Sequence, residues 1–294
     1  MNTQYIGRFA PSPTGPLHLG SLYTALASFL DARANQGQWL LRIDDLDTCR
    51  NVAGATESII DTLQRFNLYW DGPVHHQSND FDSYLTVVAE LEKNQLVYPC
   101  TCTRKSLAAF NSAIYPGICL VNPKNKNTEH SLRIKSTDNE IQFNDQLQGY
   151  YTHRIAQQYG DFIVKRKDSV IAYQLAVIVD DHRQNISHVI RGCDLLDSTP
   201  KQIFLQQTLG YSTPKYCHLP IITNQQGKKL SKQTHAEAVS TTNPEKTLFL
   251  LLTLLKQNPP RQLKNASIQT LLNWAIEHWQ VEPLINIHAI KESK

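Results

Sequence analysis

The feature that most constrains the fold is an alternation within the first 43 residues: strand, turn, helix, strand. Tyr5-Ile6-Gly7-Arg8-Phe9-Ala10 reads as a short strand, stopped by the Pro11-Ser12-Pro13-Thr14-Gly15-Pro16 turn because proline cannot donate to a ladder. Leu22, Ala25, Leu26, Phe29 and Leu30 then recur at helical spacing, with Ser21 suited to cap the start. Asn35-Gln36-Gly37-Gln38 breaks this helix, and Trp39-Leu40-Leu41-Arg42-Ile43 follows as the apolar run of a buried parallel strand. A βαβ unit of this length predicts a doubly wound, Rossmann-type α/β fold.

Further along, helices are expected over Ser58–Phe66 and Tyr84–Leu91. From Pro99 the character changes: three cysteines, a polar loop from Asn122 and short strand-like pieces mark an insertion. Strands are expected again at Asp161–Lys165, Tyr173–Val179 and Ser187–Arg191, then a helix capped by Thr199 with Pro200 at its first position. Asn243-Pro244 repeats that kind of start, Asn258-Pro259-Pro260 ends the helix, and Ile268, Leu271, Leu272, Ala275 and Trp279 mark another. The division expected is a catalytic domain in two halves, residues 1–95 and 159–240, an insertion at 96–158, and a short helical C-terminal region at 241–294.

An apolar fraction of 41% and a charged fraction of 19% suit a soluble globular chain. No basic segment followed by an apolar one opens the sequence, and the run Leu248–Leu255 is too short to span a bilayer, so a cytoplasmic protein without membrane contact is expected. Residues 1–120 hold 8 basic against 11 acidic side chains, and residues 121–294 hold 21 against 15. The basic second half permits contact with a phosphate backbone without demanding it.

Two short motifs carry the chemistry. Thr14–Ser21 offers Gly15 and Gly20 for close backbone approach, a helix N-terminus whose dipole favours anions, and His18 as a donor to phosphate oxygens. Lys228-Lys229-Leu230-Ser231-Lys232-Gln233 is a basic loop whose Lys229 and Lys232 could meet a departing pyrophosphate. Contacts that tighten only in the transition state raise rate as well as affinity. Taken singly, the first is more often a capping or surface histidine and the second is usually a solvated turn.

As a pair, and in this order, they resemble the HIGH and KMSKS signatures of class I aminoacyl-tRNA synthetases. Arg8–Gly15, Leu41-Arg42-Ile43-Asp44-Asp45-Leu46-Asp47, Val179-Asp180-Asp181-His182, His188–Gly192 and Ser198–Gln202 are similar to glutamyl-tRNA synthetase. Ordinary members then carry a long helical anticodon-binding region, whereas residues 241–294 are all that follow here. That resembles the short branch, the glutamyl-queuosine tRNA(Asp) synthetases, as do Gln174, Cys193-Asp194-Leu195-Leu196, Gln233 and Ser21.

The resemblance implies ATP, bound with Mg²⁺ by Pro11, Thr14, Gly15, His18, Gly20, Ser21 and Lys232, with His18, Lys229 and Lys232 catalytic. It implies L-glutamate, held by Arg8, Phe9, Ala10, Pro11, Ser12, Asp44, Tyr173 and Arg191. Arg8 and Arg191 would face the side-chain carboxylate, with Tyr173 donating to it, and Ser12 and Asp44 would take the α-amino group; guanidinium–carboxylate pairing is directed and charge-assisted. Asp44 stands where the family usually has Glu, and its other reading is an ion pair with Arg42. The nucleic-acid partner implied is tRNA(Asp) bearing queuosine, with a truncated enzyme charging tRNA(Glu), or a silent tRNA-binding protein, as rivals. A monomer is expected.

Of six cysteines, Cys100, Cys102 and Cys119 cluster, which suggests a metal site more than a disulfide framework. Three reduced thiols remain the alternative. The resemblance supplies Tyr115 as fourth ligand of one structural zinc. His75-His76 is read as solvated surface, and Asp45 and Asp47 as structural carboxylates.

Overall fold

The computed structural model describes residues 4–112, 114–123, 128–229 and 238–292, and in it the opening unit forms as its pattern dictates. β1 (Ile6–Phe9) and β2 (Gln38–Ile43) pair in parallel, joined by α1 (Leu19–Ala34). The helix begins before Ser21: His18 is the cap, and its Nδ1 accepts the Ser21 N–H at 3.2 Å. Serine is therefore the capped residue and histidine the acceptor.

α2 (Ala55–Arg65) leads to β3 (His75–His76), which adds to β2 in parallel. The two histidines are thus a strand and not a solvated loop, and His75 Nε2 lies 3.6 Å from the buried Asp180 carboxylate. After α3 (Phe81–Lys93) the chain turns antiparallel. β4 (Val97–Cys100), α4 (Arg104–Ala108), α5 (Ile118–Val121) and β5 (Ser131–Ile134) precede a hairpin of β6 (Glu140–Asp145) and β7 (Gly149–Arg154). α6 (Ile155–Gln158) and β8 (Ile163–Lys165) follow, and β8 closes a sheet of order β4-β5-β8. The strand expected near residue 163 exists, but it joins this antiparallel sheet.

Residues 173–179, expected as a strand, open α7 (Tyr173–Arg183) instead. Leu175 through Asp181 are all buried, so the helix shows no polar stripe, and a continuous apolar run cannot be told from a buried strand by periodicity. β9 (His188–Gly192) then pairs in parallel with β10 (Lys215–Leu219), with α8 (Thr199–Leu209) between them. Thr199 lies inside α8; Ser198 occupies the cap position without a side-chain bond. β11 (Ile221–Thr223), α9 (Pro244–Leu254), α10 (Ile268–Glu277) and β12 (Ala289–Lys291) complete the described chain.

Ser187, at the head of β9, donates its N–H to Ile6 O at 2.9 Å and accepts the Ile6 N–H on Oγ at 2.8 Å. These bonds lay β9 along β1 and give the order β3-β2-β1-β9-β10, with the direction of winding reversing between β1 and β9. Alternate side chains serve two cores. Phe9, Leu41, Ile43, Ile190 and Leu219 pack with α1, α9 and α10 on one face, while Leu40, Val189 and Tyr216 pack with α3, α7 and α8 on the other. Helices on both faces of a parallel sheet are the doubly wound arrangement. Asp31 of α1 ties the C-terminal region in, accepting Trp279 Nε1–H at 2.8 Å and the Tyr5 hydroxyl. No helix among the described residues is long and apolar enough to cross a membrane.

Candidate active site

In an open parallel sheet the carboxyl ends of the strands diverge at the point where the winding reverses, which leaves a crevice. Here that point lies between β1 and β9, and a cavity of about 530 Å³ opens there. Of the fourteen residues expected to bind ATP or glutamate, twelve line it. Lys232 lies outside the described residues, and Gly15 stands off the wall. Gly15 has φ 135°, a backbone region that side chains avoid, so it serves the turn that brings Thr14 and His18 to the cavity.

The Thr14–Ser21 motif frames one side. Gly20 and Ser21, in the first turn of α1, line the cavity, so the positive end of the helix dipole faces it. The His18 ring is braced on Ser21, with Nε2 3.0 Å from Oγ. Lys229 reaches the same cavity, its Nζ 2.6 Å from Asp194 Oδ2. Ala238 bridges to His18, and Val239 N–H donates to Leu17 O at 2.9 Å. The flank at Ala238 is therefore anchored beside His18, while Lys229 is tied to Asp194 and bridges to Thr223. Gly192 makes room for Asp194: a Cβ there would stand 2.4 Å from its Oδ1.

The opposite side is built from buried charge. Arg8 on β1 and Arg42 on β2, two residues beyond the Leu40 that pairs with Arg8, point to the α7 face and share Asp181 Oδ1, at 3.1 and 2.7 Å. Burial opposes ionisation of Asp181, yet the two guanidinium groups prevail and hold its pKa below the usual range. Arg42 Nε also donates to Asp44 Oδ1 at 2.8 Å, so the ion pair weighed from the sequence exists, and Asp44 lines the cavity as well. Burial, aided by Asp180, pushes Asp44 up to about 6 against the pull of Arg42.

Arg191 is held differently. Its Nε donates to His218 Nε2 and its Nη2 to Thr199 Oγ1, each at 2.9 Å. Among the described residues its buried Nη1 has no hydrogen-bond partner, and no carboxylate lies within ion-pair distance. A buried guanidinium held only by neutral acceptors is costly, and an incoming carboxylate would relieve it. Tyr173, 39% exposed, stands at the rim at the start of α7.

The sequence assigns no role in the site to Asp181, Asp194, Thr199 or His218. The first three sit in stretches whose likeness to known synthetases was visible, which was the available signal. Asp45 and Asp47 behave as structural carboxylates: Asp45 accepts from Ser78 N–H and Oγ–H at 2.8 and 2.7 Å, and Asp47 pairs with Arg50 and Arg166.

Away from the cavity, the Sγ atoms of Cys100, Cys102 and Cys119 all lie within 4.8 Å of one another. The Tyr115 hydroxyl is 3.5 Å from Cys100 Sγ and 3.7 Å from Cys102 Sγ, and Cys102 and Cys119 are 3.5 Å apart. Sulfurs around a tetrahedral zinc at about 2.3 Å stand about 3.8 Å apart, so the four donors fit that ion. Arg133 adds compensating charge, donating to Cys100 Sγ at 3.2 Å with its guanidinium 3.7 Å from the Tyr115 ring centroid.

Residues 5–257 match the family described as tRNA synthetases class I (E and Q), catalytic domain. The chain is 46% identical over 282 residues to a protein of Aromatoleum aromaticum named glutamyl-Q tRNA(Asp) synthetase, covering 94% of this chain and 89% of that one. It is 41% identical over 294 residues to a protein of the same name from Pseudomonas aeruginosa, both at full length. In structure it is similar to a glutamate tRNA ligase of Elizabethkingia meningosepticum, with a TM-score of 0.80 at 26% identity, covering 99% of this chain and 67% of that one. With the sheet order, the crevice at its reversal and these likenesses in agreement, the chain belongs to the class I tRNA synthetases for glutamate and glutamine, among the relatives named glutamyl-Q tRNA(Asp) synthetase.

Proposed function

We propose that this ligase activates L-glutamate with ATP and transfers the glutamyl group to the queuosine base in the anticodon loop of tRNA(Asp). The observation that carries the reading is one cavity lined by His18 and Lys229 on one side and by Arg8, Asp44 and Arg191 on the other. Glutamate would lie with its side-chain carboxylate toward Arg191 and Arg8, its α-ammonium toward Asp44 and Ser12, and Tyr173 donating at the rim. Its α-carboxylate then attacks the α-phosphate in line, forming the glutamyl-adenylate as pyrophosphate leaves. His18, the α1 N-terminus and Lys229 stabilise the charge that shifts onto the phosphates, with Mg²⁺ arriving on the ATP. Lys232 is assigned the same task from its place in the lysine motif.

The choice of tRNA rests on relatives of that name matching over nearly the whole length. Cys100, Cys102, Tyr115 and Cys119 would hold one structural zinc, which fixes the fold of the segment when bound. In this reading residues 96–158 form an insertion between the two halves of the catalytic domain, 241–294 form a helical region beside it, and the enzyme works in the cytoplasm as a monomer.

The deciding experiment supplies labelled glutamate, ATP and Mg²⁺ with queuosine-bearing tRNA(Asp) or with tRNA(Glu), and digests the product. Label confined to the anticodon-loop nucleoside of tRNA(Asp) is expected. Label on the 3′ adenosine of tRNA(Glu) would make this a charging enzyme, and no glutamate-dependent ATP–pyrophosphate exchange would leave only a tRNA-binding role.

A further inference from the structure

We infer that Asp145 and His218 form a buried positioning relay that presents Arg191 to the side-chain carboxylate of glutamate. The inference rests on the assignment of Arg191 to that carboxylate and extends it to two residues that line no part of the cavity.

Arg191 and His218 are register partners on β9 and β10, so their side chains leave the sheet on the same face, side by side. A guanidinium only donates, so the 2.9 Å bond from Arg191 Nε requires a lone pair on His218 Nε2. The imidazole proton must then sit on Nδ1, and Asp145 Oδ2 takes it at 2.5 Å. Thr199 Oγ1 closes the triangle, 2.9 Å from Arg191 Nη2 and 3.1 Å from His218 Nε2.

The far end of the relay is rigid. Asp145 Oδ1 accepts the backbone N–H groups of Leu147, Gln148 and His218, at 3.1, 2.9 and 3.2 Å. Although burial opposes it, the bonds from His218 and from the backbone hold this carboxyl below its ordinary range. Burial, together with Arg191, in turn keeps the imidazole below its own, despite Asp145. The result is a neutral histidine of one tautomer, fully buried, with its acceptor aimed at Arg191.

This arrangement has a purpose that a direct carboxylate would defeat. Arg8 and Arg42 are anchored on Asp181, which neutralises part of their charge. Arg191 is anchored with equal direction by a neutral acceptor, and the negative charge stands one ring further back. Its positive charge and its Nη1 donor are therefore left for the ligand. The carboxylate of the relay comes from the end of β6, so the β6–β7 hairpin reaches behind the specificity pocket.

The test is ATP–pyrophosphate exchange with glutamate on the whole protein, comparing His218→Leu, His218→Gln and Asp145→Asn, with thermal melting as a check of folding. An asparagine amide can donate to Nδ1 and so drive the imidazole proton to Nε2, against Arg191. For Asp145→Asn and His218→Leu the KM for glutamate is expected to rise about tenfold or more, with kcat within about threefold and the KM for ATP unchanged. His218→Gln keeps an acceptor toward Arg191 and is expected to recover most of the loss. An unchanged glutamate KM in folded Asp145→Asn or His218→Leu, or an equal rise in the KM for ATP, would overturn the relay. If His218→Leu does not fold, the other two variants decide. Absence of glutamate-dependent exchange in the unaltered protein would instead remove the assignment of Arg191, and the relay with it.

Discussion

Asp44 and Arg42 form a buried ion pair, Oδ1 to Nε at 2.8 Å, at the edge of the cavity. The pair leaves Asp44 with a pKa pushed up by burial to about 6, so the group changes charge just below neutrality. An α-ammonium needs the carboxylate form. The kcat/KM for glutamate is therefore expected to fall about tenfold per pH unit below about 6, because that parameter reports the free enzyme. In Asp44→Asn the value should be low at all pH and lose this limb. A profile that keeps the same limb in Asp44→Asn would assign it to another group.

Asp44 is one methylene shorter than a glutamate would be, and its backbone N–H is fixed to Pro11 O at 3.0 Å. With the backbone held, a longer side chain extends toward the cavity. Asp44→Glu should keep or improve glutamate binding, read as the KM in exchange. A loss of activity above about tenfold would argue against Asp44 as the holder of the α-amino group.

Lys229 is held by Asp194 at 2.6 Å, on the cavity wall, in position to exchange that carboxylate for phosphate oxygens. Removing one donor to developing charge costs about a hundredfold or more in kcat. Lys229→Ala is expected to lose that much exchange activity while ATP binding, followed by equilibrium titration, weakens far less. Equal losses in both would reduce Lys229 to a ground-state binding contact.

The donor set at Cys100, Cys102, Tyr115 and Cys119 should retain about one zinc per chain through purification without added metal. Cys102→Ser should hold well under one equivalent, and a strong chelator should lower the melting temperature of the unaltered protein but not of this variant. Protein purified with no zinc and an unchanged melting temperature in chelator would leave the cluster as reduced thiols.

Local chemistry made the first unit legible. Proline and glycine punctuate the turn before α1 whatever surrounds them, and Trp39–Ile43 is apolar enough to predict its place in the sheet. The cysteine cluster was legible for the same reason, since Cys100 and Cys102 are near neighbours in the chain. Residues 173–179 were misread because a helix buried on every side and a buried strand present the same apolar run.

By itself, the sequence determined the parallel α/β layout of the opening unit and the turn that sets His18 before α1, both of which are carried by spacings of a few residues. Only the tertiary structure decided which charges meet. Nothing in the order of 26 acidic and 29 basic side chains says that Arg8 and Arg42 share Asp181, or that Asp145 steadies His218 behind Arg191. Those partners are 173, 139, 73 and 27 residues apart, and they meet because strand order and helix packing bring them together at the crevice or behind its wall. Charge pairing inside a protein is set by distance and burial, and both are properties of the folded chain.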